Sequence, residues 1–417
     1  MLFGKKKYTR SNDARWFSDN HDHILVYCKN KIDTELNLLP RNEEQLSAYS
    51  NPDNHPKGKW KATPLHAKSG KVRSFEYVFK NGVKWSPPPG TYPRYSKDRL
   101  KKLENDDAIW FGIDGKSTPA RKSFLSEVKE GVTPITIWTY EDVGHNHGAN
   151  QELKDLSLGG IFENPKPTKL LKRMITLSTH KDDIILDFFA GSCTTAQAVL
   201  EHSKDDFLNR RFIMVQIPEP TEQNSEAKKA GFHTISDIGK ERIRRVIQKI
   251  NRELNESEHV KIQYETDKED IHRNANIDLG FKVFNLDESN FKVWSNPKAD
   301  ISQEELKEQL DAFTDHISPK ADTESILYEL ILKSGYPLTV QIEEEKIAGK
   351  TVYSIQEHTL VICLDYDLSY QVFEEMLELK PQRVVCLDRG FTGDDADALK
   401  TNVVQLFKSH GIEFRTV

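Results

Sequence analysis

Apolar and polar positions change rhythm three times along the chain. The stretch HDHILVYCKNK (21–31) groups β-branched and aromatic residues ahead of a polar turn and predicts a strand. Residues 40–130 then lose any long periodicity. Turn signals at Asn51-Pro52, Asn81-Gly82, Ser86 to Gly90 and Asp114-Gly115 predict short strands joined by long loops. Asn81-Gly82, set between SFEYVFK and VKW, predicts a hairpin with a type I′ turn.

From about residue 131 helix and strand patterns alternate. Leu170, Leu171, Met174, Ile175 and Leu177 fit one helical face, with Thr168 as the expected N-cap after Asn164-Pro165-Lys166-Pro167. Residues 182–202, DDIILDFFAGSCTTAQAVLEH, read as a buried strand (Ile184 to Phe188), a small-residue turn and a helix, and RFIMVQI (211–217) as the next strand. That order opens a doubly wound parallel sheet. A long amphipathic helix follows from Ser236 to about Asn255, burying Ile243, Val246, Ile247 and Ile250. Residues 256–275 read as a charged connector, 279–294 as a short β hairpin, and 300–417 as a small α/β domain with strands at 359–365 and 383–388.

Composition sharpens this picture in one place. The net charge of −6 divides unevenly: residues 1–130 carry 25 Lys and Arg against 16 Asp and Glu, or +9, and the remainder carries 34 against 49, or −15. Five of the six tryptophans (Trp16, Trp60, Trp85, Trp110, Trp138) fall in the first 138 residues, four of them inside the basic part. Cations neutralise phosphates and aromatic rings stack on bases, so this part is a candidate nucleic-acid face; ordinary core aromatics explain the tryptophans equally well. The hairpin would present Arg73, Lys80 and Lys84 to a phosphate backbone. Mean hydropathy of −0.65 and the lack of any apolar run of ~20 residues predict no membrane span. With no signal-peptide core either, the reading is cytoplasmic. Cys28, Cys193, Cys363 and Cys386 lie far apart and read as reduced core thiols. His145 and His147 read as loop residues and Asp365 and Asp388 as solvated strand ends, so no metal site is expected.

The chemistry concentrates at Asp187-Phe188-Phe189-Ala190-Gly191-Ser192-Cys193-Thr194-Thr195. An acidic strand end, small residues and a hydroxyl-rich helix start let backbone approach a ligand closely and aim helix N–H groups at an anion. One glycine stands where a dinucleotide fingerprint has three, which disfavours NAD.

DFFAGSCTTAQAV resembles motif I of the DNA amino-methyltransferases, D-F-F-A-G-S-G-T-T-A-x-A-V, which binds S-adenosylmethionine. NPKPTKLLKRMI is similar to the Lys-Pro helix start of their β class. IWFGIDGKSTPARKSFLSEVKEGVTPITIW, GFHTISDIGKERIRR, LGFKVFNLDESNFKVW and CLDRGFTGDDADALKTN resemble segments of type III modification subunits. The resemblance implies an incomplete Rossmann-like methyltransferase sheet with an inserted DNA-recognition segment and a small α/β C-terminal domain. Its divisions would be 1–35 (tail of the catalytic half), 36–150 (target recognition), 151–255 (cofactor half), 256–299 (connector and hairpin) and 300–417 (subunit contacts). It further implies a cofactor pocket shaped by Asp187, Phe189, Ala190 and Gly191, with Thr194 and Thr195 facing the cofactor carboxylate. Lys166 and Pro167 would line the same pocket, and Glu219 would hold the ribose. Implied partners are double-stranded DNA, a restriction subunit and a second copy of the chain.

Two departures matter. Cys193 replaces the second glycine of the motif, where a Cβ is costly if φ is positive. The D/N/S-P-P-Y/F/W tetrapeptide that holds a flipped adenine has no counterpart, because the only Pro-Pro run is Ser86-Pro87-Pro88-Pro89-Gly90. The expectation is therefore an N-terminally truncated adenine-specific methyltransferase with no catalytic residue of its own. It would be either complemented by a separately encoded N-terminal half, leaving apolar sheet edges to cover, or a non-catalytic remnant that still binds DNA or S-adenosylmethionine.

Overall fold

The computed structural model describes residues 2–5, 15–16, 21–71, 74–263, 277–292, 302–305, 307 and 317–417. The chain divides into two compact units, Met1–Leu279 and Gly280–Val417.

In the first unit, β1 (Leu2–Lys5) pairs antiparallel with β2 (His21–Ile24). The strand expected over 21–31 therefore stops early: Leu25, Val26 and Tyr27 stand exposed beyond the end of its partner. The next segment is built from short pieces. Helix α1 (Glu43–Ser47) opens with a capping box from Asn42. β3 (Trp60–Pro64), β4 (His66–Ala67), β5 (Tyr77–Val78), β6 (Lys84–Trp85), β7 (Tyr92–Pro93), α2 (Lys97–Asn105), β8 (Ile109–Trp110) and β9 (Ala120–Phe124) follow. Their core holds Trp60, Leu65, Phe79, Trp85, Leu100, Ile109 and Phe124. The β5–β6 hairpin forms around Asn81-Gly82, but not as a type I′ turn. Gly82 alone is left-handed (φ 83°), and Phe79 N–H bonds Val83 O at 3.0 Å across a three-residue loop. Lys122 is buried among these strands, 2.6 Å from Asp53 and 3.1 Å from Asp107. A charge at that depth persists only because both carboxylates pair with it.

β10 (Ile137–Trp138) returns to pair in parallel with β1, so the end of the inserted segment rejoins the N-terminal strands. α3 (Tyr140–Val143), α4 (Asn146–Asp155) and α5 (Thr168–Ser178) follow. Thr168 is the first residue of α5 rather than its N-cap, which is Pro167. The unit continues with β11 (Ile184–Asp187), α6 (Thr194–Asp206), β12 (Arg211–Met214), α7 (Glu226–Lys229) and α8 (Ile235–Gln263). Strands β11 and β12 run parallel in register from Ile184–Arg211 to Asp187–Met214. The expected buried strand is buried on one face only. Ile185 and Phe212 pack with Ile175, Ala198 and Val199 of α5 and α6, while Ile184, Leu186, Ile213 and Val215 are exposed. α8 runs into the expected connector as far as Gln263.

In the second unit, the expected 279–294 hairpin makes no ladder among its described residues; Phe291 bridges to Ile317 instead. α9 (Thr323–Lys333), β13 (Ile342–Ile347), β14 (Lys350–Ile355), β15 (Leu360–Cys363), α10 (Tyr370–Glu378), β16 (Arg383–Cys386), α11 (Ala396–Ser409) and β17 (Glu413–Thr416) complete it. The sheet order is β13-β14-β15-β16-β17, antiparallel up to β15 and parallel beyond. α9 covers one face, while α10 and α11 supply Val372, Phe373, Met376, Val403 and Phe407 to the other. Burial from both sides explains the unbroken apolar run of β15.

Candidate functional site

The turn between β11 and α6 is shaped by two left-handed residues, Gly191 (φ 53°) and Cys193 (φ 58°). Asp187, closing β11, fixes both ends of it. One carboxylate oxygen accepts the Phe189 N–H at 3.1 Å and the other accepts the Thr195 hydroxyl at 2.5 Å. The neighbouring strand supplies the rest: Ala190 N–H bonds Val215 O at 3.1 Å, and Gly191 N–H bonds Gln216 Oε1 at 2.7 Å. A Cβ on Gly191 would meet Phe162 Cζ at 3.3 Å, which places the Phe162 ring beside the turn.

Under the turn lies Arg242, completely buried on α8. Its Nε donates to Gln197 Oε1 at 2.7 Å, and its Nη1 donates to Ser192 Oγ at 2.9 Å and Thr194 Oγ1 at 2.6 Å. Its Nη2 lies 3.8 Å from Glu152 Oε2 on α4. That same carboxylate oxygen accepts the backbone N–H of Thr168 at 3.2 Å and its hydroxyl at 2.5 Å, so α5 is capped by a side chain from another helix. Burial pulls the Arg242 guanidinium down to about 10 against the opposing pull of Glu152, leaving it charged at neutral pH. Burial pushes the Cys193 thiol up to about 11, so it stays protonated. Room for that thiol comes from Gly239 on α8, where a Cβ would lie 2.5 Å from Cys193 Sγ.

The residues singled out in the sequence divide by role. Asp187, Ala190, Gly191, Thr194 and Thr195 converge on this turn. The Thr194 hydroxyl is turned toward Arg242 and the Thr195 hydroxyl toward Asp187, which leaves the backbone amides at the start of α6 as the group to meet an anion. Pro167 is buried against Gly144, where a Cβ would come within 2.9 Å. Lys166 is exposed, 3.8 Å from Asp22. Phe189 is 81% exposed beside the turn. The side chain of Glu219 is exposed, and its backbone carbonyl accepts the Ile235 N–H at 2.9 Å. Sequence reasoning missed Glu152, Phe162, Gln197 and Arg242, and set Gln216 aside in favour of Glu219. The available signal was Arg242 itself, which falls four residues before Val246 on the apolar face of α8.

In the basic segment Arg73 lies outside the described residues. Lys80 Nζ donates to Asn105 Oδ1 at 2.6 Å, and Lys84 is exposed on β6. Trp60, Trp85 and Trp138 are buried core residues, so among the described tryptophans Trp16 alone is largely exposed, at 82%. His145 and His147 are 6.1 Å apart by ring centroids.

Comparison with known proteins gives the family of the chain. The family described as DNA methylase matches residues 1–227, more than half of the chain. The Mod subunit of the type III restriction-modification enzyme StyLTI from Salmonella typhimurium is 30% identical over 375 residues, 83% of this chain and 53% of that protein. The EcoP15I Mod subunit from Escherichia coli is 25% identical over 383 residues, 82% of this chain and 53% of that protein. The type II methyltransferase M.KpnI from Klebsiella pneumoniae is 32% identical over 246 residues, 52% of this chain and 55% of that protein. The chain thus spans about half the length of the relatives it matches. With its mixed α/β build and its strand–turn–helix site inside the matched region, it belongs to the DNA methylase family.

Proposed function

We propose that this chain is the cofactor-binding and DNA-recognition part of an N6-adenine methyltransferase, the modification subunit of a type III restriction-modification system. The observation that carries the reading is the turn after β11. Asp187, Thr195 and Gln216 hold it open, Gly191 offers bare backbone, and the start of α6 lies behind it. These residues fit S-adenosylmethionine: amides and Lys166 for the carboxylate, Phe189 for the adenine face, and Glu219, whose carboxylate accepts two hydroxyl bonds, for the ribose. S-adenosylmethionine supplies the methyl group that a DNA methylase transfers. Arg73, Lys80 and Lys84 contact the DNA backbone, and residues 300–417 contact the restriction subunit or a second copy.

These 417 residues hold no D-P-P-Y tetrapeptide, so the reading assigns the adenine-holding residues to polypeptide outside them. The bare face of Ile184, Leu186, Ile213 and Val215 supports this, since apolar strands of a doubly wound sheet are covered on both sides. Cys193 favours a second reading, a decayed site, but the space that Gly239 leaves for its thiol argues for accommodation.

The test is calorimetric titration of the chain with S-adenosylmethionine, beside a Cys193→Gly variant. Binding by the unaltered chain is expected, with no methyl transfer to DNA by the chain alone. Binding by the glycine variant only supports the decayed site, and binding by neither refutes the cofactor reading.

A further inference from the structure

Arg242 is a costly residue. A guanidinium with no exposed surface gives up its hydration, and replacing such groups by apolar ones is often neutral or stabilising. One nitrogen, Nη2, is buried without a hydrogen-bond partner, facing Glu152 across 3.8 Å, longer than a hydrogen bond. Gly239, Val246 and Ile250 on the same helix are buried without charge, so α8 needs no cation to pack. What the arginine does reach is specific. Its other two nitrogens bind only α6 and the turn, through Gln197, Ser192 and Thr194. Glu152, its ionic partner, caps the helix that begins at Thr168, directly after Lys166 and Pro167.

We infer that Arg242 and Glu152 form a buried positioning strut that sets the spacing between the two walls of the cofactor site, the 191–195 turn and the 166–168 helix start. It thereby tunes affinity for the amino-acid end of the ligand. This rests on the reading of the turn as a cofactor site. Neither residue touches the ligand. The planar fork of the guanidinium fixes two hydroxyls and an amide oxygen at once, which a lysine's single ammonium cannot reproduce at the same positions.

The test uses two ligands on the full chain. S-adenosylhomocysteine carries the amino-acid end, and 5′-methylthioadenosine lacks it. Arg242→Met and Arg242→Lys remove the fork, while Glu152→Gln keeps an acceptor for Thr168 but removes the charge and, being partly exposed, is the milder variant for folding. Each variant is expected to weaken S-adenosylhomocysteine about 10–100-fold, by analogy with the loss when an outer support of a metal site is removed. Affinity for 5′-methylthioadenosine should change less than about threefold. Equal losses for both ligands would make the pair merely structural and overturn the inference, as would unchanged affinity for both. If the unaltered chain takes up neither ligand, the cofactor reading itself falls and the strut with it.

Discussion

Replacing Gly239 by alanine tests the packing under the turn most directly. In the interior of α8 the substitution alone should gain about 1 kcal/mol, because glycine is the poorer helix former. Against this, the new Cβ would lie 2.5 Å from Cys193 Sγ and 3.3 Å from Gly191 O. The thiol has little room to retreat: Cys193 is left-handed, its N–H is bonded to Ala190 O at 2.7 Å, and the residue is buried. Overpacking of this kind costs about 1–3 kcal/mol, so Gly239→Ala should destabilise the first unit by about 1 kcal/mol net. With Cys193→Gly in place the sulfur is gone, and the same alanine should become neutral or stabilising by up to about 1 kcal/mol. The single Cys193→Gly change should lie within about 1 kcal/mol of zero, since relief of a left-handed cysteine offsets lost burial and added chain entropy. A coupling of about 1–2 kcal/mol between the two sites follows. Urea unfolding followed by tryptophan fluorescence measures it, because five of the six tryptophans lie in this unit. If Gly239→Ala costs the same in both backgrounds to within about 0.5 kcal/mol, the thiol contact is not what holds alanine out.

Three further outcomes are expected. Asp237 at the start of α8 is held down to about 2 by its bond to Lys240, with Thr234 assisting. Its folded value lies below the unfolded one, so its contribution is full above about pH 4 and fades as pH falls toward about 2. The urea midpoint of Asp237→Asn should therefore converge on that of the unaltered chain across that window, and a constant gap would refute the cap. Lys122→Met leaves the largely buried Asp53 and the exposed Asp107 without their cation and should cost about 1–3 kcal/mol, visible as faster hydrogen exchange in β3 and β9. Ile213→Lys on the bare sheet face should change stability by less than about 0.5 kcal/mol yet reduce binding of an apolar dye; a large loss of stability would mean that face is already covered.

Much of the 151–255 segment was legible in the sequence, for a physical reason. Ile184 to Asp187, the small-residue turn and the α6 run are locally determined, and the helices beginning near Thr168 and Ser236 have long apolar faces. The basic segment was less legible because its strands are mostly two residues long, too short for alternation to register, and its tryptophans fill the core instead of a stacking surface. The strand at 21–24 ended early because strand length depends on a partner, and β1 is only four residues long. Burial of one face of β11 depends likewise on neighbouring strands and helices, about which alternation within one strand is silent. Arg242 escaped notice because ERIRR reads as a solvated run of charge; a cation on the Gly239–Val246 face was the clue.

The cap of α5 has a kinetic meaning as well. Because Glu152 bonds the Thr168 amide from a different helix, the first turn of α5 is not completed by its own sequence. The Thr168 N–H therefore cannot gain full exchange protection before α4 docks, and the counter-charge to Arg242 arrives in that same event. Protection at Thr168 and burial of α8 should rise together during refolding, making one amide a reporter of when the two walls of the site first meet.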